Sequence, residues 1–136
     1  MNKAIKQALD NDKLIDIVTT GAKSGKPRRT EIWFTNVGGR IIICGTPNTD
    51  GHSGTYSPRD WMANLRANPD FLFCLKESVA AELAATAVPI SEPADRRRLM
   101  TAPETQWYRD QVESVSDLIA NSPIVEIFFK TFTYER

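Results

Sequence analysis

One histidine, two cysteines and no excess of either charge set the first limits on this 136-residue sequence. A lone histidine builds no multi-histidine metal site, and the loop Gly51-His52-Ser53-Gly54 offers no fixed third group for a Ser-His hydrolase, so His52 reads as an exposed loop residue. Cys44 and Cys74 lie inside apolar runs, where a thiol behaves as a small hydrophobe; their spacing suggests neither a metal site nor a structural disulfide. With 17 Lys+Arg against 17 Asp+Glu, the chain lacks the positive excess of a general nucleic-acid binder. Its longest apolar runs, Ile41 to Cys44 and Phe71 to Leu75, fall far short of the roughly 18 residues that read as a membrane span. Met1 to Lys13 has three lysines and no apolar h-region, which excludes a secretory signal and makes the expected location cytoplasmic.

What is present fits one domain over 1–136, since no repeat, low-complexity tract or linker divides the sequence. Ile5, Ala8 and Leu9 at helical spacing predict an N-terminal helix within residues 1–13. Strands are expected over Leu14 to Thr20, Arg28 to Val37 and Arg40 to Cys44, the last two joined through Gly38-Gly39 as a tight hairpin. Thr46 to Pro58 is a long stretch of turn formers, a length at which loops are often functional. Ser57-Pro58 opens a helix Arg59 to Ala67 that ends before Asn68-Pro69. Strands Phe71 to Lys76 and Val79 to Ile90, a helix from Ser91-Glu92-Pro93 to Met100, a second from Glu104 to Ala120, and a strand Ile124 to Lys130 complete the order. The expected class is α+β, mainly β: six strands in a mostly antiparallel sheet closed into a small barrel, with helices packed outside.

The densest chemistry lies in Thr19-Thr20-Gly21-Ala22-Lys23-Ser24-Gly25-Lys26-Pro27-Arg28-Arg29. Four basic residues occupy seven positions with no acid among them, on a glycine-containing turn whose N–H groups, serine and cations suit phosphate oxygens. A nucleotide triphosphatase loop is excluded, because only three residues separate Gly21 from Gly25, Pro27 stands where that motif needs Ser or Thr, and a strand follows. The plain alternative is a solvated basic loop.

That segment continues as Thr30-Glu31-Ile32-Trp33-Phe34, and Trp61-Met62-Ala63-Asn64-Leu65-Arg66-Ala67-Asn68-Pro69 follows later. Together the two resemble the deazaflavin-dependent nitroreductases, split β-barrels related to the FMN-binding pyridoxamine-phosphate-oxidase proteins. The resemblance covers roughly Leu14 to Phe129 and implies a reductase that uses reduced coenzyme F-420, a deazaflavin with a phosphodiester and an oligoglutamate tail. It places Lys23, Ser24, Gly25, Lys26, Arg28 and Arg29 on the loop that holds phosphate and tail. It sets Ile32 and Trp33 on the strand beside the ring, Gly45 and Thr46 at the ring edge, and Trp61 and Asn64 on the helix closing over the cofactor. Where many members carry a Ser-Lys-Gly-Gly segment after this glycine, Thr46-Pro47-Asn48-Thr49-Asp50-Gly51 departs from it and supplies one cation fewer.

Trp33, Trp61 and Trp107 read individually as core packing. Trp107-Tyr108 falls where the resemblance puts tyrosines lining the substrate pocket, so Tyr108 is a candidate proton donor to the reduced acceptor, with packing as the alternative. Arg96-Arg97-Arg98 reads as a solvated helix surface. The expected function is hydride transfer from reduced F-420 to a small-molecule acceptor, a quinone, an activated alkene or a nitroaromatic, by a monomer or homodimer with no nucleic-acid partner and no membrane span. Second comes an FMN- or haem-binding barrel of the same fold, and third a non-enzymatic anion-binding barrel.

Overall fold

The computed structural model describes residues 2–45 and 60–134. Helix α1 (Lys3–Asn11) starts where the Asn2 side chain accepts from the Ala4 N–H at 2.7 Å, and it buries Ala8 and Leu9. The strands are β1 (Leu14–Thr20), β2 (Pro27–Trp33), β3 (Thr35–Val37), β4 (Arg40–Cys44), β5 (Asp70–Leu75), β6 (Ala81–Pro89) and β7 (Ile124–Phe129). Between them lie α2 (Asp60–Ala67), α3 (Pro93–Met100), a 3-10 turn at Pro103–Thr105, α4 (Gln106–Arg109) and α5 (Val115–Asn121).

The strands form one sheet in the order β2-β1-β5-β6-β7-β4-β3, and every neighbouring pair is antiparallel. Its two outermost strands, β2 and β3, are separated in sequence by Phe34 alone. A sheet whose opposite ends are one residue apart has to curl until those ends meet, so the order alone requires a rolled sheet. Phe34 is the seam: its N–H donates back to the Lys13 carbonyl at 2.9 Å beside β1, while Thr35 already pairs with Ile42 of β4. The expected strand Arg28 to Val37 is therefore two strands, which makes seven instead of six.

Alternation along β1 sends Ile15, Ile17 and Thr19 inward. Ile15 and Ile17 join Phe34, Phe73, Ala85, Val125 and the α1 and α2 residues Leu9 and Leu65 in the inner core. Strand β4 is buried on both faces. Ile41 and Ile43 face that core, whereas Ile42 and Cys44 face a second one with Leu99, Met100, Tyr108 and Leu118 under the C-terminal helices. This double burial explains the unbroken apolar run Ile41 to Cys44. Gly38 and Gly39, with φ of 60° and 98°, form the β3–β4 turn, where two positive φ values give the twist a two-residue hairpin needs.

The helix expected over Glu104 to Ala120 is broken instead. It runs as the 3-10 turn, α4 and then α5, because Ser114 adopts an extended backbone and its Oγ accepts from the Asp117 N–H at 3.0 Å, starting a new helix. Arg40 ties the sheet to α3. Its guanidinium donates to both Asp95 carboxylate oxygens at 2.6 and 2.8 Å and to Glu126 of β7 at 2.7 and 3.1 Å.

Candidate functional site

The basic loop between β1 and β2 is held in shape by its own backbone and by α2. Gly21 N–H donates to the Lys26 carbonyl (2.8 Å), Gly25 N–H to the Gly21 carbonyl (3.0 Å) and Lys26 N–H to Ser24 Oγ (3.2 Å). Ser24 folds so closely over Gly21 that a Cβ there would stand 2.5 Å from its Oγ and turn that side chain away, and Gly25, with φ of 68°, requires glycine. From α2, buried Asn64 accepts the Ala22 N–H at 2.9 Å and donates to Thr19 Oγ1 at 3.3 Å; Thr19 in turn donates to the Arg28 carbonyl at 3.5 Å. Both ends of the loop are thus fastened to one helix through one amide.

Four backbone N–H groups, those of Gly21, Ala22, Gly25 and Lys26, are spent on this architecture, so the turn is less open than its glycines suggest. The Ser24 hydroxyl keeps its own hydrogen for an acceptor. Lys23 and Lys26 are exposed and have no carboxylate partner among the described residues. The result is a rigid, positively charged turn, and its donor set suits a phosphate or a run of carboxylates.

The eight cofactor-side candidates of this segment do not share one face. Along β2, Arg28, Thr30 and Ile32 turn to the half-buried side, and Arg29, Glu31 and Trp33 to the exposed one. Arg29 is committed on that exposed side to Asp16 at 2.9 Å, where Lys76 also bridges Asp16 and Glu31. The Lys76 hydrogen bond, more than that of Arg29, holds the Asp16 carboxyl below the usual carboxylate range. Arg29 thus serves the outer surface of the sheet and not the loop, because strand alternation separates it from Arg28. The same alternation parts Ile32, which packs on the inner core, from Trp33, which is 41% exposed.

Gly45, at the end of β4, donates its N–H to the Pro123 carbonyl at 2.9 Å; a Cβ on it would stand 3.0 Å from Pro123 Cγ and 3.6 Å from the Trp61 ring. Trp61 is buried against the inner core, so α2 uses Trp61 to reach Gly45 and Asn64 to reach the basic loop. Thr46, expected beside Gly45, lies outside the described residues, as do His52 and the rest of the 46–58 loop. On the other side, Trp33 and Trp107 meet with ring centroids 4.8 Å apart, and Trp107 contacts Tyr108 at 3.9 Å. Tyr108 itself is 1% exposed. Its hydroxyl lies 3.4 Å from Thr35 Oγ1, and burial raises its pKa well above that of a free phenol.

Two arginines escaped the sequence reading. Arg96, expected on a solvated helix surface, is half-buried and donates to the carbonyls of Ile90, Ile119 and Ser122 at 2.6, 2.7 and 2.6 Å. Arg66 of α2 faces it across a groove. No local pattern distinguishes Arg96 from its neighbours Arg97 and Arg98; the docking of α5 supplies two of its three acceptors, Ile119 and Ser122. Among the described residues, no group of His, Cys, Asp or Glu is arranged to hold a metal ion, and no helix is long and apolar enough to cross a membrane.

Compared with known proteins, residues 2–120 match the family described as F420H(2)-dependent quinone reductase. A solved structure described as an F420 reductase aligns at 15% identity over 96% of this chain and 96% of its own, with a TM-score of 0.61. A Clostridium acetobutylicum protein related to general stress protein 26, of the pyridoxinephosphate oxidase family, aligns at 11% identity over 96% of this chain and 81% of its own, with a TM-score of 0.61. A third, described as a domain-swapped dimer, aligns at 19% identity over 90% of each chain, with a TM-score of 0.53. At such identities the structural likeness concerns the fold.

Proposed function

We infer the chemistry from one premise: the chain belongs to the F420H(2)-dependent quinone reductase family, and it is an oxidoreductase that uses reduced coenzyme F-420. When bound, the reduced deazaflavin supplies a hydride from its C5, and the proposed acceptor is a quinone, an activated alkene or a nitroaromatic.

In this reading Lys23 and Lys26 bind the phosphodiester and the acidic tail, helped by the Ser24 hydroxyl and by the absence of a side chain at Gly25. Arg28, on the inner side of β2, adds charge there. Asn64 does not touch the cofactor; it positions the loop by spending both ends of its amide on Ala22 and Thr19. Gly45 leaves bare backbone at the ring edge, with Trp61 packed behind it and Ile32 on the inner wall. Trp33 and Trp107 form an aromatic step on which a flat acceptor stacks. Tyr108 braces that step from beneath. Its hydroxyl is buried against Thr35, so the proton that completes reduction comes from water at the open side of the step.

The observation that carries the assignment is a rigid turn bearing two lysines that lack a carboxylate partner among the described residues. FMN ends in a single phosphate and needs fewer cations than an oligoglutamate tail. Titration with F-420 and, separately, FMN, followed by tryptophan quenching, tests this. Tight binding of F-420 that weakens steeply in Lys23→Ala and Lys26→Ala is expected; equal or better binding of FMN, or unchanged F-420 binding in both variants, would remove the assignment. Two buried free cysteines support a cytoplasmic setting. Exposed Leu72, Val88 and Phe128 on the outer sheet support a homodimer, which sedimentation checks.

A further inference from the structure

Helix α2 has a second cationic side. Successive helical residues are about 100° apart, so Met62 and Arg66 lie within about 40° of each other and on the far side from Asn64. Asn64 faces the basic loop, while Met62 and Arg66 border a groove between α2 and the α3–α5 pair. The groove consists of two cavities of about 680 and 690 Å³ that share Met62, Arg66, Arg96 and Ala120. Either volume falls within the range of ordinary small-molecule sites.

Its chemistry is two-sided. Met62, Ile90 and Ile119 give it an apolar floor; Arg66, Arg96 and Arg97 stand over that floor, and no Asp or Glu lines either cavity among the described residues. Arg96 is immobilised by three backbone carbonyls, which are neutral acceptors. Three of its five N–H donors are used, and among the described residues its charge has no carboxylate counterpart. Burial, reinforced by the nearby Arg66 charge, presses its pKa below that of a free arginine. A partly desolvated cation beside two further arginines is an incomplete electrostatic arrangement that an incoming anion would complete.

We propose that this groove binds a small molecule with an anionic head, carboxylate or phosphate, on an apolar body, at a site distinct from the basic loop. The head pairs with Arg66 and Arg97 above the fixed Arg96, and the body lies on Met62, Ile90 and Ile119. The proposal does not depend on the cofactor assignment, since the two cationic sites lie on opposite sides of α2.

Calorimetric titration of the whole chain with decanoate, decanol and inorganic phosphate tests it. Decanoate should bind, with decanol and phosphate each at least about tenfold weaker, because each lacks one half of the match. Arg66→Gln and Arg97→Gln, both at exposed positions, should each weaken decanoate about tenfold with an unchanged circular dichroism spectrum. Lys23→Ala should leave decanoate binding as it is, and Arg66→Gln should leave F-420 binding as it is. Decanol binding as tightly as decanoate, or arginine variants binding like the parent, would overturn the site. Loss of decanoate binding in Lys23→Ala would move the anion to the basic loop, and loss of F-420 binding in Arg66→Gln would merge the two sites; each overturns the proposal.

Discussion

At the scale of single residues, Asn64 shows how a motif position and its work can differ. The tryptophan-to-proline segment marks Asn64 as important, and the sequence-level expectation set it beside the cofactor; the structure turns both ends of its amide to the protein's own Ala22 and Thr19. Hydrogen bonds at 2.9 and 3.3 Å between elements 42 and 45 residues apart cannot be read from local pattern. Asn64→Leu leaves the Ala22 N–H without its partner and should cost about 1–3 kcal/mol in thermal or chemical unfolding. The same change should weaken F-420 binding while leaving acceptor KM unchanged in enzyme saturated with cofactor. Tyr108 presents the opposite case. Its aromatic character was legible, but its complete burial was not, because that follows from how α4 and the 3-10 turn close over β3 and β4. Tyr108→Phe should retain kcat within about twofold and lose about 0.5–1.5 kcal/mol of stability, the net worth of one modest hydrogen bond. A large fall in kcat with stability unchanged would restore Tyr108 as proton donor.

At the scale of elements, periodicity gave good guidance where one face is buried and poor guidance where chain direction changes. The alternation Ile15, Ile17, Thr19 and the Gly38-Gly39 hairpin were visible in the sequence. The break at Phe34 was not, since β2 and β3 form one uninterrupted β-rich run and only the curl of the sheet divides them. Phe34 is almost wholly buried, so Phe34→Ala should cost about 3–5 kcal/mol, measured by denaturant unfolding. The clamp of α3 on the sheet carries a pH dependence. The Arg40 hydrogen bonds are the main cause holding Asp95 below the usual carboxylate range. A carboxyl whose folded pKa is depressed contributes stability at and above its unfolded pKa, and that contribution disappears as pH falls through the folded value. The parent protein should therefore lose more Tm than Asp95→Asn between neutral pH and about pH 3.

At the scale of the whole molecule, a formal net charge of zero conceals segregation. The lysines of the β1–β2 loop and the arginines of the groove lie on either side of α2. By contrast, Asp16, Glu31, Asp70, Asp95 and Glu126 are already engaged with cations of the sheet. Binding of an acidic ligand should therefore weaken as salt rises from low to physiological strength, whereas Tm should barely move, because the exposed lysines of the loop contribute little to folding. Composition revealed the balance, but only the folded chain reveals which charges are already spent.

The strand order also bears on how the chain is made. Of the described strands β7 comes last in sequence, yet it sits between β6 and β4 and alone among them bridges the β2-β1-β5-β6 portion of the sheet to the β4-β3 hairpin. On the ribosome the hairpin, with its apolar Ile41 to Cys44, must wait for about 80 further residues before its permanent neighbour emerges; at typical elongation rates that interval lasts several seconds or more. Nascent chains stalled before Ile124 should be captured by chaperones and digested readily by protease, and release of the C-terminal residues should convert them in one late step to the resistant form.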